Sequence, residues 1–150
     1  MLRGGKSASL EGIRVLDLCR HQAGPTCGIM LARLGADVIK VEPPEGEESR
    51  RTGPWVQGQS VYWVEFNAGK RSLGLDLYSE KGKDILRRLV AVSHVFLQSF
   101  RPGTIEQMGF GYEALKSLNP RIVMVNISAY GQTGPYWDRP GFDRQASAIS

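Results

Sequence analysis

The sequence predicts an α/β fold, with a doubly wound (Rossmann-like), mostly parallel sheet flanked by helices. Five short segments are rich in branched apolar residues, and their interiors are nearly continuous rather than alternating, which is typical of parallel strands covered on both faces. Helical patterns separate several of these segments. The chain has 150 residues, of which 41% are hydrophobic and 23% charged, enough for one domain with its own core.

The elements follow one another in a strand–helix order. The predicted strands are Ile13–Leu18, Val38–Glu42, Ser72–Leu77, His94–Phe100 and Ile122–Ser128. The predicted helices are Pro25–Leu34, which begins after Gly24 and stops at Gly35, then Ser79–Val92, with Ser79 as N-cap, and Tyr112–Leu118, which stops before Asn119-Pro120. Ligands of such folds bind at the carboxyl ends of the strands, so the loops there are the candidate sites.

The connection Pro43–Gly69 is long and contains Trp55, Tyr62, Trp63 and Phe66. Long connections in compact domains are either functional or disordered, and this aromatic content favours function.

Composition and charge exclude several classes of protein. No apolar run approaches the ~20 residues that span a bilayer, and residues 1–9 lack the apolar region of a secretory signal. The net charge of +4 favours an anionic small ligand without requiring nucleic acid, although a solvated helix and loop surface explains this charge at least as well. Cys19 and Cys27 have no spacing typical of a zinc or redox site. Two unpaired thiols indicate a reducing, cytoplasmic compartment.

Four loops beside the predicted strands carry polar and aromatic residues that suit a ligand. In the last three of them along the chain, Phe100 and Tyr130 can stack on an adenine, and the cations Lys70, Arg71 and Arg101 can pair with phosphates. The loops are 20–25, 67–72, 98–103 and 128–135. An ordinary strand–helix turn explains the first of them equally well. A G-x-G-x-x-A match at 109–114 follows a helical turn rather than a strand, so the start of a helix is favoured over a dinucleotide site.

The order of these motifs resembles the family III CoA-transferases, which include formyl-CoA and carnitine-type CoA-transferases and the related α-methylacyl-CoA racemases. The resemblance runs from Leu10 to Ser150 through six ordered motifs, Gln22–Pro25, Leu34–Glu42, Asn67–Asp76, Phe100–Gly103, Met108–Tyr112 and Tyr130–Pro135. It implies that 10–150 is the N-terminal nucleotide-fold domain of a larger enzyme that forms an interlocked homodimer. Residues 1–9 are then expected to be a disordered lead-in.

The activity implied by the resemblance is transfer of CoA from an acyl-CoA thioester to a free carboxylic acid. An aspartate attacks the thioester, and the resulting anhydride is converted by CoA thiolate into an aspartyl-CoA thioester, which the acceptor acid then consumes. The family pattern puts this aspartate after Ser150, so the isolated chain is expected to be inactive. CoA thioester is the expected substrate, and no permanently bound cofactor or metal is expected.

Residue roles are carried over by the same resemblance. His21, Gln22 and Ala23 are expected to line the thiol end of CoA, with Gln22 beside the reacting carboxyl. The other CoA contacts are Ser99, Phe100 and Met108 at the nucleotide and Tyr130 near the pantetheine arm, while Asp143 is expected to support the catalytic aspartate.

The sequence allows two functions other than CoA transfer. The racemases of this superfamily carry a catalytic histidine at the position of Phe142, which cannot move a proton, so racemisation is disfavoured. A non-catalytic CoA-binding fragment is the other alternative, because the nucleophile is expected outside this chain.

Overall fold

The computed structural model describes residues 8–142 and Ala148. The strands are β1 (Arg14–Asp17), β2 (Asp37–Glu42), β3 (Trp55–Val56), β4 (Gln59–Ser60), β5 (Arg71–Gly74), β6 (Val95–Gln98) and β7 (Val123–Asn126). The helices are α1 (Ala23–Arg33), α2 (Val61–Asn67), α3 (Glu80–Ala91), α4 (Thr104–Gln107) and α5 (Tyr112–Leu118), with a 3-10 helix at Glu48–Arg51.

Five strands form one parallel sheet in the order β5-β2-β1-β6-β7. β1 lies at its centre, where Leu16 pairs with Ile39 of β2 on one side and with Phe96 of β6 on the other. The chain moves outward from β1 to β5 and then returns to β6 on the other side of β1. The strand order therefore reverses between β1 and β6, and a crevice opens outside their carboxyl ends. The predicted α/β class with a mostly parallel sheet is confirmed.

Each face of the sheet carries its own apolar core, as the continuous apolar strands predict. Leu16 and Phe96 face the core under α3 and α5, where Leu86 is fully buried. Val15 and Leu97 face the opposite core under α1. Successive side chains of one strand thus enter different cores, which is why polar alternation is missing from the sequence.

The main helices begin and end close to the predicted positions. Ser79 is the N-cap of α3, because its Oγ accepts a hydrogen bond of 3.1 Å from the Gly82 N–H. Strand β5 ends at Gly74, short of the predicted Leu77, because the Ser79 hydroxyl donates to the Asp76 carbonyl and turns the chain into α3. Strand β6 ends at Gln98, whose own side chain accepts from the Phe100 N–H.

The long connection after β2 contains elements that the sequence did not predict. They are the 3-10 helix, the β3–β4 hairpin and α2. The Ser60 Oγ caps α2 by accepting from the Trp63 N–H at 3.0 Å and donates to the Ser49 carbonyl at 3.0 Å. The Trp63 ring lies 3.7 Å from the Arg50 guanidinium carbon. Trp63 therefore takes part in the packing of this connection, and the Tyr62 and Phe66 rings contact each other, whereas Trp55 is exposed. Helix α2 packs against α1.

A buried ion pair ties this connection to the sheet. The Lys70 Nζ lies 2.7 Å from the Asp17 Oδ2, and the two side chains are 1% and 0% exposed. Lys70 also donates to the Pro25 carbonyl at 2.9 Å and to the Asn67 Oδ1 at 3.0 Å. Burial lowers the pKa of Lys70, although the Asp17 carboxylate opposes that shift. One ammonium group thus joins β1, the start of α1 and the end of α2.

The two ends of the chain lie mostly outside the described residues. Of the predicted lead-in 1–9, only Ala8 and Ser9 are described, and the Ala8 carbonyl accepts from the Glu11 N–H at 3.0 Å. The predicted site residue Asp143 also lies outside the described residues. Within 8–142 and 148, the helices are too short or too polar to cross a bilayer.

We expect Lys70→Met to destabilise the chain by about 3–5 kcal/mol, because it leaves the Asp17 carboxylate buried without its cation. Urea unfolding followed by circular dichroism measures this loss. Adding Asp17→Asn should recover part of it, since the amide oxygen can still accept from the Cys19 N–H. Arg71→Gln is the control, because Arg71 is 63% exposed in its pair with Asp37. Equal losses for Lys70→Met and Arg71→Gln would contradict the prediction.

Candidate functional site

The loops that follow β1 and β6 meet at the point where the strand order reverses. The Arg20 N–H donates a hydrogen bond of 2.9 Å to the Ser99 Oγ. The Arg20 guanidinium lies over the Phe100 ring, 5.1 Å from its centroid. Two of the predicted site residues, Ser99 and Phe100, therefore hold a residue of the loop after β1 in place.

His21 connects three segments at this edge. Its φ of 61° lies in the left-handed region, where residues other than glycine are uncommon. Its Nε2 lies 4.0 Å from the Glu48 Oε2, and its ring meets the Phe142 ring edge-on with centroids 5.8 Å apart. Strained backbone of this kind is concentrated at functional sites. His21 thus touches both the 3-10 helix and the segment after β7.

Gln22 and Ala23 are exposed at the start of α1. The Gln22 carbonyl accepts from the Thr26 N–H at 2.8 Å, while its side chain caps nothing. Gly24 lets the helix begin here, because a Cβ at that position would overlap the Cys19 side chain. Because Pro25 has no N–H and the Thr26 N–H is bonded to Gln22, the N–H groups of Ala23 and Gly24 are the ones without a partner in the helix, and they favour a negatively charged or carbonyl oxygen nearby.

A groove of about 780 Å³ opens at the same carboxyl edge. The loops after β1, β2, β5 and β6 contribute its walls, and the lining residues are Leu18–Arg20, Val41–Glu48, Arg51, Leu75–Tyr78, Phe100, Thr104 and Met108. Of the predicted CoA contacts, Phe100 and Met108 line the groove. Its volume falls within the range of small-molecule sites, roughly 300–1,000 Å³.

The other predicted contacts lie outside the lining of this groove. His21, Gln22, Ala23 and Ser99 belong to the loops that border it. Tyr130 lies apart, with its ring 6.0 Å from the Tyr136 ring. The structure therefore brings together two of the predicted nucleotide contacts, Phe100 and Met108, and leaves Tyr130 in a separate aromatic pair.

The hypothesis that loop cations pair with phosphates is wrong for Lys70 and Arg71. Lys70 is buried against Asp17, and Arg71 binds Asp37 at 2.8 Å at the amino end of the sheet. Arg101 donates to the Asp138 carbonyl at 2.8 Å.

The sequence analysis placed Arg20 in a candidate loop without giving it a role and did not name Arg51 or Tyr78, although all three residues line the groove. Arg51 and Tyr78 follow β2 and β5 in the chain, so their position after parallel strands was the available signal.

Two buried carboxylates that line the groove, those of Glu42 and Glu47, are paired with cations. The Glu42 carboxylate accepts from the Arg50 Nε at 2.6 Å, the Ser72 Oγ at 2.7 Å and the Glu47 N–H at 3.0 Å. Burial opposes its ionisation, but these hydrogen bonds prevail and hold the pKa of Glu42 below its ordinary value. Glu47 pairs with Lys40 at 3.3 Å, both side chains being 1% exposed, and Lys40 also donates to the Cys19 carbonyl.

The two cysteines are poor nucleophiles in this environment. Burial, and then the Asp17 charge, raises the pKa of Cys19 well above its ordinary value and also raises that of Cys27. Both therefore remain thiols at neutral pH. Among residues 8–142 and 148, no cluster of three or more histidine, cysteine or acidic side chains is placed to hold a metal ion.

The sheet order and the groove define the nucleotide-fold class of parallel α/β proteins. Within that class the chain belongs to CoA-transferase family III, whose family model matches residues 10–150.

The chain is similar to curated members of the family over most of its own length. It is 44% identical over 142 residues to the succinyl-CoA–L-malate CoA-transferase beta subunit of Chloroflexus aurantiacus, covering 93% of this chain and 35% of that protein. It is 43% identical over 143 residues to the human succinyl-CoA:glutarate CoA-transferase, covering 94% and 33%. The chain thus spans about one third of the length of these relatives.

Solved structures share the fold. A CAIB/BAIF family protein from Brucella suis superposes with a TM-score of 0.91 at 40% identity, over 96% of this chain and 39% of that one. Rv3272 from Mycobacterium tuberculosis superposes with a TM-score of 0.90 at 40% identity, over 97% and 41%.

We expect Glu42→Gln to lower the free energy of unfolding at pH 7 by about 1–3 kcal/mol, because the amide loses the charge-assisted bonds to Arg50. The folded pKa of Glu42 is depressed, so its contribution is present above the pKa of the unfolded glutamate, about 4.3, and is lost as pH falls through the folded value. The gap between parent and variant should therefore close in acid, as urea unfolding from pH 7 to pH 3 can show.

Glu45→Gln is the matched control for this pH dependence, because Glu45 is exposed on the same loop. Its stability should follow the parent at every pH. A gap for Glu42→Gln that stays constant in acid would contradict the prediction.

Proposed function

We propose that this chain forms the CoA-binding wall of an enzyme that transfers CoA from an acyl-CoA thioester to a free carboxylic acid through an aspartyl-CoA intermediate. The observation that carries the proposal is the groove at the carboxyl edge, which contains Phe100 and Met108 in a chain of CoA-transferase family III. An aromatic ring and a thioether side chain are suitable surfaces for an adenine.

The reacting end of CoA is assigned to the start of α1. In this proposal the thioester lies against His21, Gln22 and Ala23, with the pantetheine arm running towards Tyr130. The start of α1 supports it, because Gln22 and Ala23 are exposed there and the N–H groups of Ala23 and Gly24, which have no partner within the helix, can stabilise the oxyanion that forms when a carboxylate attacks a thioester. The Gln22 amide is neutral and has no capping bond, so it can orient a carboxyl group without neutralising it.

The nucleophile is assigned to an aspartate after Ser150, with Asp143 as a supporting residue. A carboxylate nucleophile keeps the energy of the thioester in an acyl-enzyme bond, provided that water is excluded. Buried carboxylates of the described part are engaged elsewhere, since Asp17 binds Lys70 and Glu42 binds Arg50. The exposed Asp76 accepts from the Tyr78 N–H at its own turn.

The names of the relatives suggest the donors to test first. Four of them are named for succinyl-CoA, with L-malate, D-citramalate or glutarate as the acid, and two others for formyl-CoA and oxalate. We therefore include short acyl-CoA donors and dicarboxylic acceptors in the proposal. Racemisation is not part of it, because the Phe142 ring packs on His21 and carries no exchangeable proton.

We expect the 150-residue chain to bind CoA and to leave succinyl-CoA unchanged in the presence of glutarate or malate. Binding follows from the groove, and inactivity follows from the position proposed for the nucleophile. Calorimetric titration with CoA measures the first, and chromatographic analysis of acyl-CoA products measures the second.

Phe100→Ala and Tyr130→Ala form a matched pair for the titration, because only Phe100 lines the groove. Phe100→Ala should weaken CoA binding by about tenfold, the loss expected of one aromatic stacking contact. Absence of CoA binding by the parent would refute the proposed site. Formation of glutaryl-CoA or malyl-CoA would refute the position proposed for the nucleophile.

The interlocked homodimer implied by the family resemblance belongs to the same proposal. Exposed apolar side chains on α1, α2 and the hairpin support it, since Met30 is 59%, Trp55 53% and Val56 60% exposed. Such patches on a small chain favour association. Size-exclusion chromatography with light scattering should show a mass above that of the monomer at micromolar concentration. A monomer that persists at high concentration would contradict this.

A further inference from the structure

Two arginines line the groove without a carboxylate partner among the described residues. Arg20 follows β1, and Arg51 is the last residue of the 3-10 helix after β2. Both are exposed, and neither forms an ion pair within 8–142 and 148. Cations that build the edge of the sheet behave differently, because Lys40, Arg50 and Lys70 are all bound to carboxylates.

Acidic residues are present in the same lining and yet do not neutralise these two arginines. Glu42 is engaged by Arg50, and Glu47 is engaged by Lys40. The Asp76 Oδ1 accepts from the Tyr78 N–H at 2.9 Å. The buried acids are thus used for the fold, and the charges of Arg20 and Arg51 remain available to a ligand.

Arg20 is held in position on the side where a ligand would enter. Its backbone N–H is bound to the Ser99 Oγ at 2.9 Å, and its guanidinium lies 5.1 Å from the centroid of the Phe100 ring. A guanidinium that stacks on a ring keeps the N–H groups at its edge free for hydrogen bonds. Because the side chain is already confined by Phe100, binding costs it less conformational entropy than it costs an unconfined arginine.

The backbone beside Arg51 is also held in position by contacts of the two preceding residues. The preceding residue, Arg50, binds Glu42 through two nitrogens, each 2.6 Å from a carboxylate oxygen, and its guanidinium stacks on Trp63. Ser49 is buried one residue earlier and donates to the Glu47 Oε1 at 2.6 Å. The backbone that carries Arg51 is therefore anchored to the sheet, and its exposed side chain projects from a fixed point.

We propose that Arg20 and Arg51 form a two-arginine clamp for the phosphate groups of the ligand, an inference that rests on the proposed CoA site. Each guanidinium can bind a phosphate through two parallel N–H groups, so the pair suits a ligand with more than one phosphate charge. A nucleotide diphosphate can contact both guanidinium groups at once, whereas a simple monoanion contacts one, and Phe100 lies beside Arg20 to receive the base.

The test compares Arg20→Gln, Arg51→Gln and the control Arg33→Gln, which removes the same charge from an exposed position at the end of α1. The probes are CoA, ADP and pantetheine, which has no phosphate, and calorimetry at two salt concentrations gives the dissociation constants. Each clamp variant should weaken CoA and ADP by about tenfold, the effect of one charge-assisted contact, and should reduce the salt dependence. Pantetheine binding and the Arg33→Gln variant should match the parent within about twofold.

The outcomes separate the clamp from the proposed function. Equal affinities of Arg20→Gln, Arg51→Gln and Arg33→Gln for CoA and ADP would overturn the clamp and leave the CoA site in place. Arginine-dependent binding of ADP without binding of CoA would support the clamp and overturn the proposed CoA site. Binding of neither ligand by the parent would overturn both. Should Arg20→Gln lose its circular dichroism signal, Arg51→Gln alone decides, because the Arg51 side chain is exposed.

Discussion

The ion pair between Lys70 and Asp17 is the constraint on which the carboxyl edge of the sheet depends. Asp17 is the last residue of the central strand, and its carboxylate is fully buried against Gly28 of α1. A charge in that position is tolerated only when a counter-charge and hydrogen bonds satisfy it. Lys70 supplies the counter-charge, and its two further bonds to Pro25 and Asn67 draw α1 and α2 to the same point. The crevice between the carboxyl ends of β1 and β6 lies beside this ion pair, which connects β1, α1 and α2 to one another.

Two further pairs extend the same arrangement along the sheet. Lys40 and Glu47 hold the start of the long connection, and Glu42 and Arg50 hold its 3-10 helix. The connection contributes little apolar surface to the two cores, so charge-assisted hydrogen bonds carry much of its attachment. This explains a division among the cations of the chain. Those with buried carboxylate partners position the loops, whereas Arg20 and Arg51, which have no such partner among residues 8–142 and 148, face the groove.

The strands of the sheet were predictable from the sequence, whereas the ion pairs that connect charged residues to the sheet were not. Continuous apolar strands and the Ser79 cap have local signals, so five parallel strands and α3 emerge within a few residues of their observed bounds. The ion pair of Lys70 joins residues that are 53 positions apart, and a turn sequence looks the same whether its lysine points inward or outward. Two-residue strands and a four-residue 3-10 helix are too short to show a period, so the wall formed by the connection was missed.

The two halves of the proposed CoA site differ in how much of them this chain supplies. The nucleotide half is built by residues that other described residues fix in place, since Phe100 is held by Gln98 and in turn confines Arg20. The thioester half consists of the exposed Gln22 and Ala23, with His21 in a strained backbone conformation that meets Glu48 and Phe142. An oxyanion site works only when its donors are preorganised and water is excluded. This chain alone can therefore recognise the nucleotide. The proposed transfer reaction requires, in addition, that the start of α1 be covered so that water is excluded.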